Sequence, residues 1–291
     1  MSAGFKKTIL VTGGTGFIGS NLIEQLVKDP RNRVISLDNY FTGKKENHID
    51  GAEYREGHTK DIEKHIHEQI DLVYHLGEYS RVEQSFEDMP TVWEYNKDGT
   101  FAVLEFCRKN NCKIVYAGSS TKFGDGGMGR DQSPYAWTKA SNTELVMNYG
   151  KWFDLLYAIT YFYNVYGPRE ISEGKYATLI AIFKEKTKNK EPLTVVSPGT
   201  QVRNFTHVDD IIRGLLLVGE KGEGDDYGLG SEEGYGILDI AKMFGGEIEM
   251  LPLRKGNRMN ATLELSRAKN ELGWSAEKRI TKYINELLNN N

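Results

Sequence analysis

The sequence predicts an α/β protein built on a doubly wound parallel sheet, with a smaller α/β part toward the C-terminus. Three observations predict it. Short β-branched runs alternate with longer stretches of helical spacing through the first half of the chain. The glycine turn Thr12-Gly13-Gly14-Thr15-Gly16-Phe17-Ile18-Gly19 directly follows the apolar run Thr8-Ile9-Leu10-Val11. An acidic residue, Asp38, closes the second such run, at the distance of about 20 residues that a dinucleotide-binding unit requires.

In chain order, the candidate strands are 8–11, 33–38, 53–56, 72–76, 113–117 and 156–161. Helical spacing of apolar residues falls over 21–28 and 100–109. Right-handed crossovers would place a ligand crevice at the carboxyl ends of the strands. The rhythm breaks after Gly167-Pro168. Beyond it, 176–188 reads as a helix and 193–196 as a short strand. A further helix is read over 209–218, with Asp209 or Asp210 near its cap. The segment 219–236 is rich in glycine and acidic residues and reads as loop plus a short strand. Helices are expected over 238–244 and 266–271, and the terminal asparagines 289–291 as a frayed tail. The expected division is 1–166 plus about 203–230 for a dinucleotide domain, and about 167–202 plus 231–291 for a substrate domain.

Bulk properties narrow the function classes. The 291 residues are 39% hydrophobic and 27% charged, an ordinary globular composition able to bury a large core. The net charge of -4, with no long basic run, argues against nucleic-acid binding, which needs clustered Lys and Arg against phosphates. The two cysteines, Cys107 and Cys112, make neither a disulfide framework nor a zinc signature, and no metal site is expected. No leader is read, because the apolar run after Lys6-Lys7 passes straight into the glycine turn. No apolar run approaches the ~20 residues of a membrane span. A cytoplasmic location without membrane contact is the resulting expectation.

Gly13, Gly16 and Gly19 are the positions where a dinucleotide's phosphates would meet the chain. Glycine permits positive φ, and its missing side chain lets the backbone approach a pyrophosphate. The helix opened by Phe17 and Ile18 offers unpaired N–H groups to the same anion. Asp38 would bind the ribose hydroxyls and repel a 2′-phosphate, which favours NAD over NADP as cofactor.

Downstream, Tyr135 and Lys139 stand four apart in Ser133-Pro134-Tyr135-Ala136-Trp137-Thr138-Lys139, on one face of an expected helix with Pro134 in its first turn. A free tyrosine titrates near ~10 and is a poor base, but a neighbouring ammonium and an oxidised nicotinamide favour its phenolate. Such a phenolate takes a proton from a substrate hydroxyl while hydride leaves the same carbon. Ser119 ends the fifth candidate strand, where its hydroxyl could hold the reacting oxygen. These three are the candidate catalytic residues.

With these motifs the chain resembles the extended short-chain dehydrogenase/reductase family, and within it the NAD-dependent nucleotide-sugar epimerases and dehydratases. The resemblance spans almost the whole sequence. It rests on the glycine turn, Asp38-Asn39-Tyr40-Phe41-Thr42-Gly43, Tyr74-His75-Leu76, Asn96-x-x-Gly99-Thr100, Ala117-Gly118-Ser119-Ser120 and the Tyr135/Lys139 helix. It continues through Tyr161-Phe162-Tyr163-Asn164-Val165-Tyr166-Gly167-Pro168-Arg169, Arg203-Asn204-Phe205-Thr206-His207-Val208-Asp209-Asp210 and Leu272-Gly273-Trp274.

The resemblance implies a Rossmann-type NAD domain and a smaller domain that grips a nucleoside-diphosphate sugar. It implies cofactor contacts at Asn39, Asp61, Ile62, Leu76, Gly77 and Tyr163, besides the glycines, Asp38, Tyr135 and Lys139. Substrate contacts are implied at Ser80, Ser119, Ser120, Thr121, Asn164 and Arg203, with Arg258 or Arg254 a looser match. It also implies a homodimer packed through the regions 93–110 and 134–149.

The shared first step of such enzymes is oxidation at sugar C4. The 4,6-dehydratases carry Thr-Asp-Glu where this chain has Ser119-Ser120-Thr121, and hydroxyls are poor replacements for that acidic pair. A 4-epimerase and a 4-dehydrogenase remain, and a non-catalytic NAD-sensing protein is the alternative from another class. Two departures from the family pattern matter. Only seven residues, 126–132, separate Asp125 from Ser133, a short glycine-rich loop that favours a larger or unusual sugar, such as a heptose or modified hexose of surface polysaccharide. Gly77-Glu78-Tyr79 replaces a pair of small residues and a polar one, and Glu78 would bind a sugar hydroxyl, act on a proton or face solvent.

Overall fold

The structure is a computed structural model, and it describes residues 7–253 and 262–289. Its centre is a seven-stranded parallel sheet. The first six strands in chain order are β1 (Lys7–Thr12), β2 (Asn32–Asp38), β3 (Ala52–Glu56), β4 (Leu72–His75), β5 (Lys113–Ala117) and β6 (Tyr157–Phe162). The seventh is Gly224–Leu229, and the spatial order is seventh, β6, β5, β4, β1, β2, β3. The order reverses beside β1, which opens a crevice at the carboxyl ends of β1 and β4. All six sequence-predicted strands are present, each within a residue or so of its expected bounds. Helix Phe17–Leu26 starts four residues earlier than the pattern over 21–28 marks.

Alternation along the strands separates two cores. Ile9 and Val11 face one side, against Leu22 and Ile23 of Phe17–Leu26 and Ile211 and Leu215 of Val208–Lys221. Leu10 faces the other, with Val103 and Leu104 of Gly99–Asn110 and Val146 of Pro134–Phe153. A third cluster gathers Tyr166, Phe183, Val195, Ile240, Phe244 and Ile284 from the C-terminal part. Cys107 and Cys112 are buried and unbridged.

Beyond β6 the structure refines the expected elements and adds to them. The segment 219–236, expected as loop plus a short strand, contains the seventh sheet strand, whose first half, Gly224-Asp225-Asp226, is polar while Tyr227–Leu229 is buried. Gly228 is required there, since a Cβ would stand 1.7 Å from the Glu264 carbonyl oxygen. The helix expected from Tyr176 begins at Leu179, because Thr178 is extended (φ -86°, ψ 156°) and gives its N–H to the Ile171 carbonyl at 2.9 Å. As expected, Asp209 and Asp210 lie near the cap of Val208–Lys221: both are in its first turn, and the cap is His207, whose Nδ1 accepts the Asp209 N–H at 3.1 Å. A C-terminal helix, Ile280–Asn289, and a strand, Ile248–Leu251, were not read from the sequence.

Candidate active site

A cavity of about 680 Å³ opens at the carboxyl ends of β1, β4 and β5. Its floor is the glycine turn. Gly13 has φ +71°, and a Cβ there would meet the Gly77 backbone at 2.8 Å. A Cβ on Gly19 would stand 2.1 Å from the Gly13 carbonyl oxygen. Gly16 and Gly19 therefore leave bare backbone toward the cavity, with the N-terminus of Phe17–Leu26 behind them. Asp38 ends β2 and is held from two sides, by the Thr15 N–H at 2.9 Å and the Tyr40 N–H at 2.8 Å. This cradle fits a dinucleotide: side-chain-free phosphate floor, helix N-terminus, and an anchored carboxylate at the end of the neighbouring strand β2.

The catalytic candidates share the same cavity. Ser119 follows β5 and caps the 3₁₀ turns over Ser120–Asp131. Its Oγ accepts the Thr121 N–H at 3.3 Å and the Thr121 hydroxyl at 2.9 Å, so its own hydrogen remains to donate into the cavity. The Pro134–Phe153 helix starts with the Ser133 hydroxyl capping the Ala136 N–H at 3.1 Å and Pro134 in its first turn. That start places Tyr135 and Lys139 one turn apart, both on the cavity wall.

The structure brings most of the sequence-predicted residues to this wall. Phe17, Ile18, Asn39, Leu76 and Gly77 line the cavity. Ser80, Ser120, Thr121, Asn164 and Arg203 line it too. Asn164 also donates Nδ2 to the Asn204 carbonyl at 3.1 Å, which orients it. Three residues are not brought there. Ile62 and Tyr163 are packed in the core at 1% exposure, and the Tyr163 hydroxyl accepts the Glu264 N–H at 3.0 Å. Asp61 pairs with Lys64 at 2.8 Å, and Thr59 lines the cavity in its place. Arg254 and Arg258 lie outside the described residues.

Glu78 lines the cavity by position, but its carboxylate turns inward. One oxygen pairs with Lys139 Nζ, with the side chains 3% and 5% exposed. The other accepts from Thr100 Oγ1 at 2.8 Å, Tyr116 OH at 3.1 Å and Asn142 Nδ2 at 3.2 Å. Behind Thr100 stands His75, whose Nε2 lies 3.1 Å from the Thr100 hydroxyl and whose Nδ1 lies 2.8 Å from the Thr12 hydroxyl. Burial pushes the His75 ring down to about 4, so it is neutral at pH 7. Thr12 Oγ1 already accepts the Leu76 and Gly77 N–H groups, so its hydrogen goes to His75 Nδ1. His75 Nε2–H then donates to Thr100, and Thr100 to Glu78.

Two wall residues had no signal in the sequence reading. Arg81 donates to the Tyr176 carbonyl and to Ser80, and burial lowers its affinity for its proton. Glu170 accepts the Gly167 N–H at 3.0 Å and the Thr178 hydroxyl at 2.6 Å, and burial pushes it up to about 7. Glu170 follows the Tyr166-Gly167-Pro168-Arg169 motif directly, and that adjacency was the available hint. Among the described residues, no group of three His, Cys, Asp or Glu is placed to hold a metal ion. Among them too, no helix is long and apolar enough to cross a membrane.

The sheet order, the glycine cradle and the Tyr/Lys/Ser wall define a dinucleotide-dependent α/β oxidoreductase site. The chain belongs to the NAD dependent epimerase/dehydratase family, whose profile matches residues 9–230. NAD is the cofactor, and the cradle fits it. The chain is 32% identical to a Methanocaldococcus jannaschii protein assigned as a UDP-glucose 4-epimerase, over 97% of this chain and 99% of that one. It superposes with a TM-score of 0.89 on the UDP-glucose 4-epimerase of Thermotoga maritima solved with UDP-glucose, at 27% identity, covering 97% and 99% of the two chains. The Thermus thermophilus UDP-glucose 4-epimerase solved with NAD gives 0.88 at 27% identity, covering 97% and 98%.

Proposed function

We propose that the protein oxidises C4 of a nucleoside-diphosphate sugar to a 4-keto sugar, as a nucleotide-sugar 4-epimerase or 4-dehydrogenase. The observation that carries this reading is the meeting of Ser119, Tyr135 and Lys139 with the glycine cradle in one cavity. Bound NAD supplies a hydride acceptor at its nicotinamide ring. Tyr135 takes the proton of the sugar C4 hydroxyl, and Ser119 donates its hydrogen to the same oxygen. Lys139 presents an N–H beside Tyr135. Asn164 and Arg203 receive the diphosphate, for which a guanidinium is well suited.

Dehydration is disfavoured, because Ser120 and Thr121 stand where an acid and a base would be needed. The UDP-glucose 4-epimerases among its relatives support epimerisation and a uridine nucleotide. In an epimerase the wall residues hold the ketone while it turns, and the hydride returns to its other face. The short loop before Ser133 supports a larger sugar than glucose, a heptose or modified hexose used in surface polysaccharide. The working form in this reading is a cytoplasmic homodimer with the division 1–166 plus about 203–230 for NAD and the rest for the sugar nucleotide. Exposed Trp93, Phe101 and Trp137, at 43%, 53% and 39%, supply an apolar face for that dimer on the two helical regions named above.

The test is mass and chromatographic analysis after incubation with NAD and a panel of nucleotide sugars including heptoses. An isobaric product at a new retention time marks an epimerase. Loss of two hydrogens with NADH formed marks a dehydrogenase. Loss of water, or no change with any sugar, refutes the proposal.

A further inference from the structure

We infer that Glu78 is a positioning residue for Lys139: it fixes the ammonium so that one N–H is left to face the reaction cavity. An ammonium has three N–H groups. Lys139 gives one to the Glu78 carboxylate and one to the Ala117 carbonyl. The Tyr116 ring lies under the same nitrogen at 4.5 Å and closes that side. The third N–H points along the remaining direction, toward the wall that Lys139 shares with Tyr135.

The surroundings of Glu78 are built for an anion. A carboxylate has about four lone-pair sites, and four donors from three different segments reach this one. The hydrogen-bond chain from Thr12 through His75 and Thr100 runs in one direction, each donor pointing toward Glu78. Asn142, on the same helix as Lys139, joins the carboxylate and is itself held by Lys97 Nζ at 2.8 Å. A buried charge without a partner is strongly destabilising, so each member of the pair requires the other. The pair carries no net charge. Lys139 therefore offers the substrate an oriented donor rather than a free cation, and the diphosphate must find its positive charge elsewhere. This assignment rests on the proposed oxidation at C4 for its kinetic meaning, but not for its structural one.

The test compares wild type with Glu78→Gln, which keeps the shape and removes the charge, and with Lys139→Met and the double variant. Glu78→Gln is expected to lower kcat about 10–100-fold while KM for the nucleotide sugar stays within about threefold. Each single variant should lower Tm by roughly 5–10 °C, and the double variant by less than the sum. An unchanged kcat, or a KM rising in step with the lost activity, overturns the assignment, the latter by making Glu78 a substrate contact. If Glu78→Gln does not fold, Tyr116→Phe removes one donor from the carboxylate, and a kcat loss of about threefold at constant KM is expected; no loss overturns it. If wild type converts no nucleotide sugar, the functional reading fails by itself. NAD titration then decides for Glu78: about 3–10-fold weaker binding by Glu78→Gln supports the assignment, and equal binding overturns it.

Discussion

Asp38 accepts the backbone N–H of Thr15 at 2.9 Å, which ties the end of β2 to the glycine turn after β1. The carboxylate is 8% exposed and is fixed in front of the cavity. A 2′-phosphate would bring further negative charge against it. NAD is therefore expected to bind at least tenfold more tightly than NADP, a difference of about 1.4 kcal/mol or more. Asp38→Ala should weaken NAD and narrow that ratio. Fluorescence titration with both dinucleotides measures it, and an unchanged ratio would remove Asp38 from the recognition.

Tyr135→Phe deletes one oxygen on the cavity wall and leaves the helix start at Ser133 and Pro134 intact. Turnover should fall by about 10²–10⁴-fold. NAD affinity should stay within a few-fold, and Tm within about 2 °C. Steady-state kinetics beside an NAD titration separate the two effects. A variant with wild-type turnover would sink the assignment of Tyr135 as the base.

The glycines of the turn should not be equivalent. At Gly19 a Cβ would lie 2.1 Å from the Gly13 carbonyl oxygen, so Gly19→Ala forces the backbone apart. Overpacking of that kind costs about 1–3 kcal/mol, and the cradle should lose NAD at least tenfold. At Gly16 the nearest atom is the same carbonyl oxygen at 3.2 Å. Gly16→Ala should fold with near-normal Tm yet still bind NAD less tightly, because its methyl enters the phosphate floor. Thermal melts of the two variants, run with and without NAD, check the order.

Glu170 makes stability depend on pH. Burial raises its carboxyl from an ordinary 4.5 to about 7. The folded chain thus holds this proton more tightly than the unfolded chain does. Stability declines as pH rises from about 4.5 through about 7 and stays reduced above that. Glu170→Gln removes the titration. The stability difference between variant and wild type should move in the variant's favour by about 3 kcal/mol between pH 4 and pH 8.5. Urea unfolding at both pH values measures it, and a pH-independent difference would show that Glu170 stays ionised.

The sequence made much of the first half of the fold legible because strands such as β1 and β4 are continuous apolar runs and the first turn is glycine-marked. Ile9, Leu10 and Val11 are buried on both faces of the sheet, so the apolar run is unbroken. The seventh strand was legible only as a short strand of unplaced bounds within 219–236, for the opposite reason: its first three residues are polar or glycine, and pairing with β6 sets its extent. At the site, motif residues whose role is backbone or one side chain, such as Gly13, Asp38 and Tyr135, could be placed from spacing. Glu78 could not be resolved among its three options. Its partners Thr100, Tyr116, Lys139 and Asn142 come from distant segments that only the folded chain brings together. Arg81 and Glu170 were missed because neither side chain belongs to a periodic pattern.

The borders of the sheet also bear on how the molecule behaves among its own copies. At one border, β3 carries Glu53, Arg55 and Glu56, and Arg55 with Glu68 and Arg33 forms a charged lattice across it. The Arg55 guanidinium holds the Glu68 carboxyl down to about 2, so the lattice keeps its charge in all but strong acid. At the other border the strand bulges between Gly224 and Tyr227, with Asp226 at φ +70°. A neighbouring chain would meet repulsive or misregistered backbone at either border, which is how natural sheets avoid growing into fibres. A crowded solution of this protein should therefore stay free of sheet-to-sheet polymers, and self-association is left to its helical faces.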